Sequence, residues 1–375
     1  METKPYSRLV VLGGGAETCG GISAAIDACR AHGVFRRWPV ELVATRADGG
    51  FLRNARAALE GLRAFARLLL QHRRVVVHVH SVAQPSFWSD CAFMALAHAA
   101  RCPVILQLHG GGFERFRDGA STPARALIQF SLERAAHVVV PSESLRHWVR
   151  SVTREAAVSC IPSAVANPAP GAEANRGNLI LFLGRLEQRR GIFELLEATA
   201  SLRSALPDLR LVCAGEGDHA AVARYAARLG IRDAVKLLGR VGPSGKRALL
   251  ENAAVFALPC HGAGLPIGLL EAMAAGLPVV TSPTGGIAEA VADGTSGFLV
   301  APGDTATLAR VLRKLLEDRA LAQRMGAAAR ETVRLRHAPE RTLPRLEELY
   351  GSLGLCALEA PPRPAAPRID LREAA

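Results

Sequence analysis

The sequence predicts an α/β protein of two facing, doubly wound, Rossmann-like halves, on three observations. Short runs of β-branched and other apolar residues alternate with longer helical patterns along most of the chain. That alternation breaks once, in a stretch of small residues, proline and glycine from Ser163 to Gly177, and then restarts. Aromatic residues are only 5% of the 375, against 49% hydrophobic overall, so the core must be built from Ala, Leu and Val. Such a core suits helices packed on a parallel sheet better than an all-β sandwich.

The first half opens with the run Leu9–Leu12, a glycine cluster, and a helical pattern from Ile22 to Ala31. Apolar runs at Val40–Val43, Val75–Val79, Val104–Leu108 and Val138–Val140 predict further strands. Helices are expected between them, notably Leu52–Leu70 and Pro123–Ala135, the second opened by Thr122 as N-cap and Pro123 at the first helical position. After the linker, strands are expected at Leu179–Leu183, Leu211–Ala214, Val235–Leu238, Val255–Leu258, Val279–Val280 and Phe298–Val300. Helices fill the gaps, notably Phe193–Ser204, Leu269–Ala275 and Thr307–Leu316. A helix from about Pro344 to Leu353 ends the fold, and the run from Pro361 to Pro367 reads as a disordered tail. The expected division is residues 1–170, residues 171–338, a helical segment within 339–358, and a tail from 359 to 375.

Composition narrows the function classes. Eight cysteines are scattered without a Cys-x-x-Cys pair, which argues for reduced, mostly buried thiols rather than a metal knuckle, a redox motif or a secreted disulfide framework. Residues Met1 to Arg8 lack a basic region followed by an apolar run, so no signal peptide is expected. The nearest approach to a spanning helix, Cys91–Leu108, carries His98 and Arg101. The expectation is a cytoplasmic protein, soluble or peripheral on the inner face of the membrane. The net charge is +12, and residues 1–170 hold 20 Lys+Arg against 12 Asp+Glu, or +8 of it. Either a solvated basic surface or an anionic partner explains that balance, whether nucleotide phosphates or anionic lipid. Arg53, Arg56, Arg63, Arg67, Arg73 and Arg74 surround the helix at Leu52–Leu70 and make an anionic membrane surface a candidate partner. Nucleic acid is set aside, because no recognition motif with interleaved aromatics is present.

Four segments carry candidate chemistry. Gly13-Gly-Gly15 and Gly20-Gly-Ile22 lie between the first strand and first helix, as a phosphate-facing loop or a tight structural turn. His109-Gly-Gly-Gly-Phe113 follows the strand Val104–Leu108, so His109 stands at a strand's carboxyl end, where ligands bind in open α/β sheets. His78 and His80 end another strand and read first as packing residues. Gly184-Arg-Leu-Glu-Gln-Arg-Arg-Gly191 follows the first strand of the second half, with Arg185 and Arg190 flanking a loop suited to a diphosphate. The segment Gly262–Val280 reads as a Gly/Pro loop, a short helix from about Ile267, and a buried strand. Glu271 lies inside that apolar helix, where an unpaired carboxylate is costly; a ribose diol, a nearby Arg or a backbone N–H are the partners to expect.

With these residues in view, the chain resembles glycosyltransferase family 4, retaining enzymes of the GT-B fold. The resemblance is most specific from Leu179 to Val300. It runs through Gly-Arg-Leu at 184–186, Gly-Glu-Gly at 215–217, Leu-Leu-Glu-Ala-Met-Ala-Ala-Gly at 269–276, Gly-Gly-Ile at 285–287 and Gly-Phe-Leu-Val-Ala-Pro-Gly-Asp at 297–304. The first half matches through Gly20-Gly-Ile22, His109-Gly110 and Pro141-Ser142. The resemblance implies a nucleoside diphosphate sugar donor held by the second half, with Glu271 on its ribose. Arg185, Arg190 and backbone N–H groups of Gly264, Leu265, Pro266 and Ile267 would hold the diphosphate, approached from the first half by Gly20 and Gly21. His109 would lie near the donor sugar, and a glycan or lipid-linked acceptor would bind the first half, in cell-surface polysaccharide assembly. It further implies transfer with retention and without a metal, and the sequence has no Asp-x-Asp. Two departures stand out. Arg190 replaces the usual Lys, and Ala263 replaces a Glu that normally precedes Glu271 by eight positions and contacts the donor sugar. Ala263 keeps open a non-catalytic nucleotide-sugar-binding protein; another GT-B enzyme, such as a nucleotide-sugar epimerase, is the remaining alternative.

Overall fold

A computed structural model describes residues 6–14, 21–46, 51–72, 74–83, 86–109, 111–166, 177–262 and 264–358. The first half holds β1 (Arg8–Gly14), α1 (Gly21–Ala31), α2 (Val34–Arg37), β2 (Val40–Arg46), α3 (Phe51–Gln71), β3 (Val75–Val82) and α4 (Ser86–Ala99). It continues through β4 (Val104–His109), α5 (Phe113–Asp118), α6 (Thr122–Arg134), β5 (His137–Val140), α7 (Glu143–Val152) and β6 (Val158–Cys160). Its six strands are parallel, in the order β2-β1-β3-β4-β5-β6.

The second half repeats the plan with β7 (Leu179–Leu183), α8 (Ile192–Leu202), β8 (Arg210–Ala214), α9 (His219–Arg228), β9 (Val235–Leu238), α10 (Pro243–Asn252) and β10 (Val255–Leu258). Then come α11 (Ile267–Ala274), β11 (Val279–Thr281), α12 (Ile287–Ala290), β12 (Gly297–Leu299), α13 (Thr305–Glu317), α14 (Arg319–Arg336) and α15 (Pro339–Ser352). The second sheet is also parallel, in the order β12-β11-β10-β7-β8-β9. The doubly wound α/β expectation therefore holds for both halves.

The β-branched runs become central strands because both of their faces are covered. Val10, Leu12, Val77 and Val79 enter one core of the first half, while Leu9, Val11 and Val76 enter the other. The second of these cores is closed by α15, whose Leu343, Leu346 and Leu349 pack on the first sheet. Each such side chain contributes about 1.5–3 kcal/mol when fully buried. The attachment is also polar. Glu347 accepts from Arg37 at 2.7 and 2.9 Å and from Trp38 Nε1 at 2.8 Å. The chain thus returns from the second half to strap the first.

Several expectations are corrected. Ser121, not Thr122, is the N-cap of α6, so Pro123 stands one place further in. The last helix begins at Pro339 rather than near Pro344, which lies inside it. Pro339 takes the first-turn position, where its missing N–H costs nothing. The start of the linker is packed, with Ala164 and Val165 buried and Val165 N bonded to His337 O at 2.9 Å; residues 167–176 lie outside the described residues. The apolar stretch Cys91–Leu108 is split between α4 and β4 by a turn with Arg101 at φ 57°. Among the described residues no helix is long and apolar enough to cross a membrane. Seven described cysteines are free thiols, five of them buried; Cys19 lies outside the described residues, as does the tail from Pro361 to Pro367.

Candidate functional site

Each sheet reverses its winding once. The chain leaves β1 for β2 on one side and then crosses to β3 on the other, and it does the same from β7 and β8–β9 to β10. At such a switch point the loops at the strand carboxyl ends part and leave a crevice. In the first half those ends are Gly13–Gly14 and His80–Ser81; in the second they are Gly184–Arg185 and the loop after Leu258.

The first wall is a buried chain of histidines. His109 Nε2 lies 2.7 Å from His80 Nδ1, and the two rings stack with centroids 4.9 Å apart. His80 stacks in turn on His78 at 4.3 Å, and His78 Nδ1 meets the Tyr350 hydroxyl of α15 at 2.9 Å. Burial lowers the pKa of all three imidazoles, to about 4 at His78 and about 3 at His109, with neighbouring positive charge adding to the effect at His80 and His109. All three are neutral near pH 7. Beside them Asp90 accepts from Arg46 and, at 2.6 Å, from the Ser81 hydroxyl. Burial pushes the Asp90 carboxyl up to about 6 against the pull of Arg46.

The second wall starts at Arg185, whose side chain is 63% exposed and 3.7 Å from the Glu187 carboxylate. A single 3-10 turn, Gln188–Arg190, then places Arg190, with Gly191 following at φ 74°. A methyl group on Gly191 would sit 1.9 Å from Pro259 O, so only glycine lets the arginine loop lie against the loop after β10. Arg190 is the more committed of the two. Its side chain is mostly buried, its Nε is enclosed with no hydrogen-bond partner among the described residues, and burial lowers its pKa. That Nε stands 3.8 Å from the Glu187 carboxylate, which answers part of the guanidinium's charge. Next comes α11, with Pro266 as its cap residue and Leu265 buried. On this helix Glu271 bonds Lys246 Nζ of α10 at 2.5 Å.

Among the described residues, these contacts cross the crevice. Gly21, the first residue of α1, faces Ile267, the first of α11; a methyl on Gly21 would lie 3.8 Å from Ile267 Cγ1. Gly286 packs so close to Ser142 and Leu265 that a methyl there would meet their Cβ atoms at 3.0 and 3.3 Å. The Glu289 carboxylate accepts from Glu143 N and Ser144 N, both at 2.7 Å, and so closes the N-terminus of α7 from the other half. Burial works to raise the Glu289 pKa, but these N–H groups, the Ser144 hydroxyl and His147 together hold it below the usual carboxylate range. Finally, the Arg115 guanidinium of α5 lies over Gly262.

The structure thus brings Gly21, Leu265, Pro266 and Ile267 to one crevice, with Gly264 in the loop that enters it. Arg185 and Arg190 share Glu187 beside it. His109 makes its side-chain contacts within the first half. Gly20 and Ala263 lie outside the described residues. The partner Glu271 was expected to need is Lys246, an amine from a helix 25 residues away rather than an Arg or a backbone N–H. Sequence reading also missed Arg115, Glu289 and the joining of His78 and His80 to His109. For Glu289 a signal existed in its place just after Gly285-Gly-Ile287, opposite Pro141-Ser142.

Comparison with known proteins shows the family and the fold. The model of glycosyl transferases group 1 matches residues 166–332, and that of glycosyltransferase family 4 matches residues 28–166. A phosphatidyl-myo-inositol mannosyltransferase of Mycobacterium leprae is 34% identical over 267 residues, covering 69% of this chain and 68% of its own. A D-inositol 3-phosphate glycosyltransferase of Streptomyces avermitilis is 37% identical over 180 residues, 43% of this chain and 39% of its own. Among solved structures, Anabaena HepE in complex with UDP-glucose superposes with a TM-score of 0.75 at 19% identity, over 92% of this chain and 99% of that one. Sucrose-phosphate synthase of Thermosynechococcus elongatus does so with a TM-score of 0.75 at 20% identity, over 92% and 99%.

Proposed function

The chain belongs to glycosyltransferase family 4, and from that premise we propose that it moves a sugar, with retention and without a metal, from a nucleoside diphosphate sugar to a glycan or lipid-linked acceptor in cell-surface polysaccharide assembly. The observation that carries the donor reading is the meeting of two helix N-termini, α1 at Gly21 and α11 at Ile267, across one crevice. Helix N-termini offer unpaired N–H groups and a favourable dipole, so a diphosphate between them is held from both halves. Arg190 and the exposed Arg185, on the loop beside the crevice, supply the charge. The UDP-glucose complex of the similar Anabaena protein supports such a donor, and the mannosyltransferase of phosphatidyl-myo-inositol supports a lipid-linked acceptor on the first half.

In this reading catalysis is mostly electrostatic. As the glycosidic bond breaks toward an oxocarbenium-like sugar, negative charge grows on the departing diphosphate. Arginines and helix N-termini fixed around it stabilise that charge more in the transition state than in the ground state. His109, held neutral, serves as a hydrogen-bond partner to the sugar rather than as a proton donor. Glu289 on α7 helps to keep the halves together over the donor and water out.

Glu271 tests the donor site. Removing its carboxylate from the ribose weakens nucleotide binding by about 1.5–3 kcal/mol, roughly 10- to 150-fold. Because Glu271→Ala also releases Lys246 toward the phosphates, the decisive measurement is calorimetry of UDP and GDP on the Lys246→Met/Glu271→Ala double variant beside Lys246→Met. Equal affinity in the two folded proteins takes the ribose role away from Glu271.

A further inference from the structure

We propose that Arg115 reads a carboxylate on the transferred sugar, so that the donor is a nucleoside diphosphate hexuronate rather than a neutral hexose. This rests on the donor-site reading above and names the substrate class of that same site. Arg115 stands on α5, the short helix that follows β4 and His109, and it reaches across the crevice to the loop that enters α11. A methyl group on Gly262 would lie 1.7 Å from Arg115 Nη2, 2.6 Å from Cζ and 2.9 Å from Nη1. Glycine at 262 is therefore what gives the guanidinium its seat. Gly262 precedes Ile267, the first residue of α11, by five residues.

Beside that seat the Glu194 carboxylate is taken up by Nε2 of His261, the residue before Gly262, at 2.5 Å. Arg115 is exposed, and its guanidinium makes no ion pair or hydrogen bond among the described residues. Three other arginines near the crevice have carboxylate partners: Arg46 has Asp90, and Arg185 and Arg190 share Glu187. On the facing side no Asp or Glu occurs from Asn252 to Leu270, and Glu271 is engaged by Lys246. On its own helix, Glu114 is exposed and the Asp118 carboxylate lies 4.0 Å from Arg117. A planar guanidinium matches a carboxylate in a bidentate, charge-assisted pair. A neutral sugar closed against it would strip water from the cation and return only hydroxyl contacts, which selects against that sugar. An acceptor phosphate shares the anionic chemistry, but Gly262 lies in the loop that leads into the donor helix.

Binding without acceptor separates the sources. The full chain is titrated with UDP-glucuronate and UDP-glucose, GDP-mannuronate and GDP-mannose, and bare UDP and GDP. At least one uronate should bind about tenfold or more tightly than its neutral counterpart, the scale of one hydrogen-bonded charge pair. Arg115→Gln should abolish that preference, Arg115→Lys should keep part of it, and affinity for the bare nucleotide should change less than about twofold. A wild type that binds both sugars of each pair equally overturns the proposal, as does a preference that survives Arg115→Gln. Loss of bare-nucleotide affinity in Arg115→Gln overturns it too, by assigning the arginine to the diphosphate. If the wild type binds neither bare nucleotide, the donor-site reading fails and this proposal falls with it.

Discussion

The family resemblance leads one to expect a pair of glutamates at the proposed donor site; Glu271 stands, and the residue eight positions before it is Ala263, outside the described residues. At this scale the sequence was most legible where a residue was out of place. A lone carboxylate in an apolar helix announces a partner, and the structure supplies one. Which partner was not legible, because Lys246 sits on α10 with no periodic relation to Glu271. His78, His80 and His109 show the same limit, since two strands had to pair before three separate histidines became one chain. The missing carboxylate is open to direct test. A lost hydrogen bond from an ionised group costs about 1.5–3 kcal/mol, or on the order of ten- to a hundredfold in rate if it forms mainly in the transition state. Ala263→Glu should raise transfer from at least one neutral nucleotide sugar by that factor and leave bare-nucleotide affinity nearly constant. Much tighter binding of bare nucleotide with no gain in turnover from any donor would show that the position does not touch the sugar.

Elements were legible in proportion to the contrast of their pattern. Buried parallel strands stand out as apolar runs, whereas α4 is apolar almost throughout and α14 is built largely of Ala and Arg, so neither gave a clean helical stripe. One stripe, on α3, faces outward. Leu52, Arg56, Leu59, Arg63, Arg67 and Leu70 follow one another at intervals of three and four, and all six are exposed, Leu52 by 82% and Leu70 by 85%. Three of the expected basic residues do not join it: Arg53 is exposed but lies off the stripe, Arg74 lies over the Tyr6 ring at 5.3 Å, and Arg73 is outside the described residues. Arg56 is partly engaged by Glu60 at 2.7 Å. Leucines that enter the acyl boundary beside arginines at headgroup level make an interfacial helix, each basic residue adding about 1 kcal/mol on an anionic surface. The protein should sediment with vesicles rich in phosphatidylglycerol at low salt and release at high salt, and Arg63→Glu/Arg67→Glu should weaken it. No sedimentation at low salt would leave α3 a solvated basic face.

The whole molecule is held by contacts that no local pattern displays, the strap of α15 on the first sheet and Glu289 on α7. Its buried titratable groups give it a marked response to acid. Burial lowers the pKa of His78 to about 4, His109 to about 3 and His337 to about 4, and that of His80 well below its ordinary value. An unfolded chain binds those protons near pH 6.5. The sign follows from linkage: stability is complete above about pH 6.5 and is lost as the pH falls toward the folded values, because only the unfolded state gains the protons. Asp90 opposes this, since its folded pKa of about 6 exceeds the unfolded value near 3.9, so the folded state binds the extra proton between them. Four histidines outweigh one aspartate. A shift such as that of His78 is worth on the order of 3 kcal/mol once fully expressed, against a typical total of 5–15 kcal/mol. The melting temperature should therefore drop steeply between about pH 6.5 and pH 4.5. His337→Gln, which removes one such group away from the crevice, should flatten the slope by about a quarter even if it lowers stability at pH 8. A wild-type melting temperature that stays level over this range would mean that the histidines are charged in the folded protein and that the neutral chain behind His109 does not exist.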